Sequence, residues 1–123
     1  VTSTFGSDQL TVIGDSLDND VTLSRNAAVA ILVNGGAVAT VGGTPTVANT
    51  TLIQAFGQAG DDDISLSEIN GALPDANLFG GAGNDRLTGG AGVDFFVFDT
   101  QPNTASARSA IPISIRNFQL IFN

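Results

Sequence analysis

The sequence predicts an all-β protein whose second half is a parallel β-solenoid, preceded by a β-rich hairpin or solenoid segment and followed by an extended apolar tail. Three observations predict it. Between Gly71 and Val97 the chain divides into nines, GALPDANLF, GGAGNDRLT and GGAGVDFFV, with glycine recurring at Gly71, Gly80 and Gly89 and a large apolar residue at Leu78, Leu87 and Phe96. From Val1 to Phe56 apolar residues alternate with polar ones, the period of a half-buried strand. Nothing reads as an amphipathic helix. Six residues of turn and three of strand suit a coil that reverses, lays down one short strand with an apolar side chain inward, and reverses again. Glycine in the turn permits positive φ.

Taken in order, Leu10 and Val12 alternate with Gln9 and Thr11, and Val21 and Leu23 with Thr22 and Ser24. Ala28–Val33 should pair with Ala37–Val41 through Asn34-Gly35-Gly36, because Asn-Gly between apolar runs signals a hairpin. Gly42–Pro45 turns again, and Thr51–Phe56 makes one more strand. Gly14–Thr22 (GDSLDNDVT) reads as a decayed nonapeptide, with Asn19 in the sixth place and Val21 in the eighth. Asp15, Asp18 and Asp20 around it are candidates for a weaker metal site, although Asp and Asn are also ordinary turn residues. The expected parts are 1–56, 57–100 and 101–123, all within one compact domain.

The two fullest copies carry Asp85 and Asp94 in the sixth place. Tight glycine turns expose carbonyl oxygens and the aspartate adds formal charge, which suits a hard cation, most simply calcium. GGAGNDRLT and GGAGVDFFV both match G-G-x-G-x-D-x-U-x at every fixed place. A third copy, Gly57–Ser65 (GQAGDDDIS), keeps Gly57, Gly60, Asp62 and Ile64 and loses the second glycine. Over Gly57–Thr100 the chain therefore resembles the RTX family of secreted bacterial proteins.

That resemblance implies a right-handed parallel β-roll in which two nonapeptides make one turn and an ion sits between loops stacked on one side. Loops Gly71–Ala76 and Gly89–Asp94 should stack. Gly80–Asp85 should lie above Gly57–Asp62 if the extra residues Leu66–Asn70 bulge outward. One ion position would then use Asp62 and Asp85 with loop carbonyls, and a second Asp94 with Asp75 or carbonyls, since Ala76 stands where aspartate is expected. Gly57, Gly60, Gly80, Gly81, Gly83, Gly89, Gly90, Gly92 and Asn84 belong to the same loops, and Asp99 is available to close the last one. The resemblance also implies export by a type I system and folding outside the cell. No acid follows Asp99, and Arg108 and Arg116 stand in the tail instead, so the family's C-terminal secretion signal is not carried over.

Composition narrows the function classes. Twelve acids against four arginines give a net charge of −8, which disfavours nucleic acid and anionic lipid as partners. With no Cys and no His there is no disulfide, no Ser-His or Cys-His pair and no zinc site of the usual kind. No apolar run approaches a membrane span. A start at Val1 without a basic and apolar leader fits a processed product or a piece of something longer. Gly-rich GGAGNDRLTGG lacks the Lys-Ser/Thr ending of a phosphate loop. Paired carboxylates could serve a glycosidase, and Arg86 beside Asp85 a lyase, but the aspartates are better explained as ligands, and no enzyme is expected. In the tail Ile111, Ile113 and Ile115 alternate, as do Phe118, Leu120 and Phe122. They either dock on their own coil or pair with a neighbouring molecule, which repeated end to end would make a homopolymer. The expected function is a secreted, calcium-binding structural protein that assembles into an extracellular filament or matrix. The alternative is a calcium-triggered folding and export module of a larger RTX hydrolase or adhesin.

Overall fold

A computed structural model describes residues 1–98, 104–107 and 118–122. The chain is all-β. Its strands are β1 (Thr2–Gly6), β2 (Gln9–Ile13), β3 (Asp20–Arg25), β4 (Ile31–Val33), β5 (Thr40–Val41), β6 (Leu52–Phe56), β7 (Asp63–Leu66), β8 (Asp75–Phe79), β9 (Arg86–Gly89), β10 (Asp94–Phe98), β11 (Thr104–Ala107) and β12 (Phe118–Phe122). Among the described residues the only helical turn is a 3-10 turn at Asn34–Gly36. No helix among them is long and apolar enough to cross a membrane.

The strands form two mixed sheets, ordered β12-β10-β8-β6-β2-β1-β5 and β11-β9-β7-β3-β4. From β6 onward the chain changes sheet at every strand, and from β8 onward each strand runs parallel to the one two before it. The register shows the length of each circuit. Ala76 pairs with Asp94, eighteen residues on, which is two nonapeptides. Asp63 pairs with Arg86, one circuit earlier, where the separation is 23 because Leu66–Asn70 has been inserted. Gln9 pairs with Leu52, 43 residues on, and the surplus there holds β4 and β5.

Alternation decides what each strand buries. Leu10, Val12, Ile53, Ala55, Leu78 and Phe96 from the first sheet join Val21, Leu23, Ile64 and Leu87 from the second in one core, each 0 or 1% exposed. Each such Leu, Ile, Val or Phe contributes about 1.5–3 kcal/mol relative to exposure. On the opposite face of the first sheet Phe56 and Phe79 stack with ring centroids 4.5 Å apart.

The N-terminal end is closed by reversed strands. β1 folds back on β2 through Ser7 (φ 51) and Asp8 (φ 61), and β4 lies antiparallel on β3. The outermost strands there, β5 and β4, are only two and three residues long, which blunts strand addition. The expected hairpin between Ala28–Val33 and Ala37–Val41 is corrected. Asn34 and Gly35 do turn left-handed, but pairing stops at the single bridge Val33–Val38, and the two arms part to opposite sheets. The Asn34 side chain explains why: its Oδ1 accepts from the Thr22 amide at 2.8 Å and its Nδ2 donates to the Asp20 carbonyl at 3.1 Å, which pins the turn to β3.

At the other end β12 runs parallel to β10 of the same chain, with Asp94 opposite Phe118 and Phe98 opposite Phe122. Of the two expectations for Phe118, Leu120 and Phe122, docking on their own coil or pairing with a neighbour, the structure has the first for Phe118–Phe122. Ile111, Ile113, Ile115 and Asp99 lie outside the described residues.

Candidate metal centre

Turns gather on two sides of the coil. On the first side Gly14–Asn19, Gly57–Asp62 and Gly80–Asp85 lie over one another, as the strand register requires. Backbone donors of one turn bond to side chains of the next. The Asn19 amide donates to Asp62 Oδ1 at 2.8 Å and the Asp62 amide to Asp85 Oδ1 at 3.0 Å. A parallel row runs beside it, from the Asp61 amide to Asp18 Oδ1 at 2.8 Å and from the Asn84 amide to Asp61 Oδ1 at 2.9 Å.

Each sixth-place side chain also folds back over the first glycine of its own turn. A Cβ on Gly57 would collide with Asp62 Oδ2 and come within 2.5 Å of the Gly80 carbonyl oxygen, and one on Gly80 would collide with Asp85 Oδ2. This corrects the reason for those glycines. Gly57, Gly80, Gly89, Gly90 and Gly92 are not in the left-handed region; they are glycine because a carboxylate, of Asp62, Asp85, Asp94, Glu68 and Asp75 in that order, occupies the space of a side chain. Positive φ is the requirement at Gly60, Gly81 and Gly83. Gln58 takes the place that glycine holds at Gly81 and is left-handed there, at φ 86.

Asp62 and Asp85 are each 2% exposed. The Oδ2 atom of Asp62 is buried and accepts no hydrogen bond. Burial first, and then the like charges of Asp85, Asp18 and Asp15, push its carboxyl up to about 6 against the pull of the Asn19 amide. A buried carboxylate oxygen without a donor is costly unless a cation meets it. With the Gly80 carbonyl aimed at the same space, the donor set is all oxygen, which fits a hard divalent cation such as calcium. Among the described residues no three acidic side chains converge, so an ion here would take part of its shell from carbonyls.

The decayed copy is the floor of this stack. Asn19 closes its own turn: its Oδ1 accepts from the Asp15 amide at 2.8 Å and its Nδ2 donates to Asp15 Oδ1 at 3.0 Å. The Leu17 amide, and then that Asn19 donor, hold the Asp15 carboxyl below its usual value. The three acids expected to make a weaker site thus each have another place. Asp15 serves its own turn, Asp18 bonds to Asp61, and Asp20 is the exposed first residue of β3.

On the second side Gly71–Ala76 and Gly89–Asp94 lie together. Asp94 is fully buried, with Oδ1 accepting from the Ala76 amide at 3.0 Å and Oδ2 from the Gly90 amide at 2.9 Å. Burial above all, with the charges of Asp75 and Glu68, pushes its carboxyl up to about 7. Asp75 Oδ1 accepts from the Val93 amide at 2.8 Å. Sequence reasoning missed Glu68. It lies in the insertion that was expected to bulge outward, and its carboxylate instead reaches under Gly90, accepting from Leu73 at 2.7 Å and Ala91 at 2.7 Å. No repeat position points to it.

Glycine-lined turns with a buried acid in the sixth place, stacked one circuit apart, define a class of calcium-binding repeat. Residues 75–104 match the family model described as RTX calcium-binding nonapeptide repeat (4 copies). That stretch therefore carries RTX repeats, a motif known to bind calcium and typical of secreted bacterial proteins. The match begins at Asp75, so Gly57–Ser65 lies outside it; Gln58 and the insertion after Ser65 break the pattern there. No curated protein and no solved structure matches the chain.

Proposed function

We propose that the chain is a calcium-set folding unit of a secreted bacterial protein, a right-handed parallel β-roll whose turns are closed by ions. The observation that carries this reading is Asp62, a carboxylate with a buried, donorless Oδ2 facing the carbonyl of the next turn. Calcium would meet the donorless Oδ2 of Asp62, with Asp85 and carbonyls of the Gly57–Asp62 and Gly80–Asp85 turns completing the shell. Asp62 and Asp85 then hold successive coils together, and binding free energy becomes folding free energy. Sites of this sort in extracellular modules bind at about 0.1–1 mM, so the coil stays loose where calcium is scarce and sets outside the cell.

The test is circular dichroism across a calcium titration after chelation. A β spectrum that collapses in chelator and returns with calcium, with Asp62→Asn shifting the midpoint upward, supports the reading; a spectrum indifferent to chelator defeats it.

Of the two roles expected from sequence, the folding module is favoured over the end-to-end filament. Its support is the pairing of Phe118–Phe122 inside its own chain and the reversed, short-edged strands at the N-terminal end. Particle mass with calcium separates the two: a monomer supports the module and long regular polymers the filament.

A further inference from the structure

The two sides of the coil solve the same problem differently. On the second side the carboxylates are met by backbone amides. Both oxygens of Asp94 and both oxygens of Glu68 accept, and five amides from the two turns, Leu73, Ala76, Gly90, Ala91 and Val93, point into Glu68, Asp75 and Asp94. Glu68 joins the turns outright, because Leu73 belongs to one and Ala91 to the other. Hydrogen bonds to an ionised acceptor are stronger than neutral ones. The insertion is itself anchored. The Gly71 amide donates to the Glu68 carbonyl at 3.0 Å, Asn70 Nδ2 to the Arg25 carbonyl at 3.0 Å, and Arg25 to the Ala72 carbonyl at 3.2 Å.

We propose that Glu68 is a built-in clasp: it holds Gly71–Ala76 against Gly89–Asp94 by amide donation, so this side of the coil closes without a cation while the Asp62–Asp85 side waits for one. Glu68 is a positioning residue, acting through the amides of the two turns. The five-residue insertion, which lengthens the circuit, is what delivers it. Setting of the coil then has two stages, a cation-independent one at Glu68 and a cation-dependent one at Asp62. The inference rests on the calcium reading above for its second stage only.

Amide hydrogen exchange on the full chain, in calcium and in chelator, reads both sides at once. In chelator the Leu73, Ala91 and Val93 amides should keep protection about tenfold or more above those of Asp62 and Asn84. In Glu68→Gln, which retains one acceptor and removes the charge, Leu73 and Ala91 should lose about tenfold in chelator, and adding Gln58→Gly should restore none of it, whereas a general loss of stability would be restored by about two- to fivefold. Three results overturn the clasp. One is Leu73 and Ala91 exchanging as fast as Asp62 and Asn84 in chelated wild type, which leaves the calcium reading standing. Another is recovery of Leu73 and Ala91 by the distant Gln58→Gly change. The last is indifference of both sides to chelator, which removes the calcium reading as well. The wild-type comparison decides the matter even if the variant fails to fold.

Discussion

The Gly57–Asp62/Gly80–Asp85 stack and the Gly71–Ala76/Gly89–Asp94 stack are built from the same nine-residue text, yet one leaves Asp62 Oδ2 without a donor and the other fills both oxygens of Asp94. The difference lies in the amides: the Gly90 N–H reaches Asp94 Oδ2, whereas no donor reaches Asp62 Oδ2, and only the second stack is also tied by an acid from the insertion. On the second side Glu68 and Asp75 gather loop amides from the insertion and from the strand start. On the first side Asp62 Oδ1 accepts from the Asn19 amide and Asp85 Oδ1 from the Asp62 amide, while Asp62 Oδ2 meets no donor and lies near the Gly80 carbonyl. A repeat therefore states where an acid sits, and its neighbours decide whether a cation must follow.

The largest effect that would break this contrast is steric. Gly80→Ala places a methyl within 2.8 Å of Asp85 Cβ and Cγ, so the acid must leave its position; a loss of about 3 kcal/mol or more is expected, read by denaturant unfolding in calcium. Gly6→Ala, where a Cβ meets nothing within 4 Å, should change stability by less than about 0.5 kcal/mol and serves as the control. Next in size is charge removal. Asp62→Asn keeps an acceptor for the Asn19 amide but deletes the negative charge, and should raise the calcium midpoint about tenfold by titration calorimetry. Asp75→Asn, on the amide-filled side and exposed, should move it by less than about threefold.

Acidity sharpens the comparison further. Asp62 and Asp94 have folded-state values of about 6 and about 7, raised from 3.8, so the metal-free native state holds protons more tightly than the unfolded chain. Stability of the chelated protein is then highest near pH 4 and falls as pH rises through 6 and 7. Melting in chelator should be lower at pH 8 than at pH 5, and added calcium should help most at pH 8; a chelated melting temperature that rises over this range would reverse the sign. A small effect of the opposite sign is at Gln58, where a left-handed glutamine stands in a glycine place. Gln58→Gly should stabilise by about 0.5–1 kcal/mol in thermal unfolding.

Much of this was legible because the period is strict. Counting in nines puts Asp85 over Asp62 even across the Leu66–Asn70 insertion, since an insertion at a turn lengthens a circuit without rotating the strand that follows. That count does not reach Asn19 beneath Asp62, because the 43 residues between them hold β4 and β5 and are no multiple of nine. Glu68 was not legible, because the side chain acts from a segment that the period treats as surplus. The β1–β2 hairpin was hidden too: Ser7 and Asp8 are both left-handed without the Gly or Asn that announces such a turn. Alternation in Phe118–Phe122 fitted a strand for this chain or for a neighbour equally well, and only the pairing with β10 distinguishes them.

The antiparallel closure by β1 and β4 gives the molecule a fixed stop at one end and a running direction at the other. Length is then an adjustable quantity. Splicing a further eighteen-residue unit between Thr88 and Gly89 would add one strand to each sheet and one turn to each stack, leaving both ends as they are. Such arrays can be stretched by duplication without a new cap having to be invented, so the gene can count coils as freely as a mason counts courses of brick.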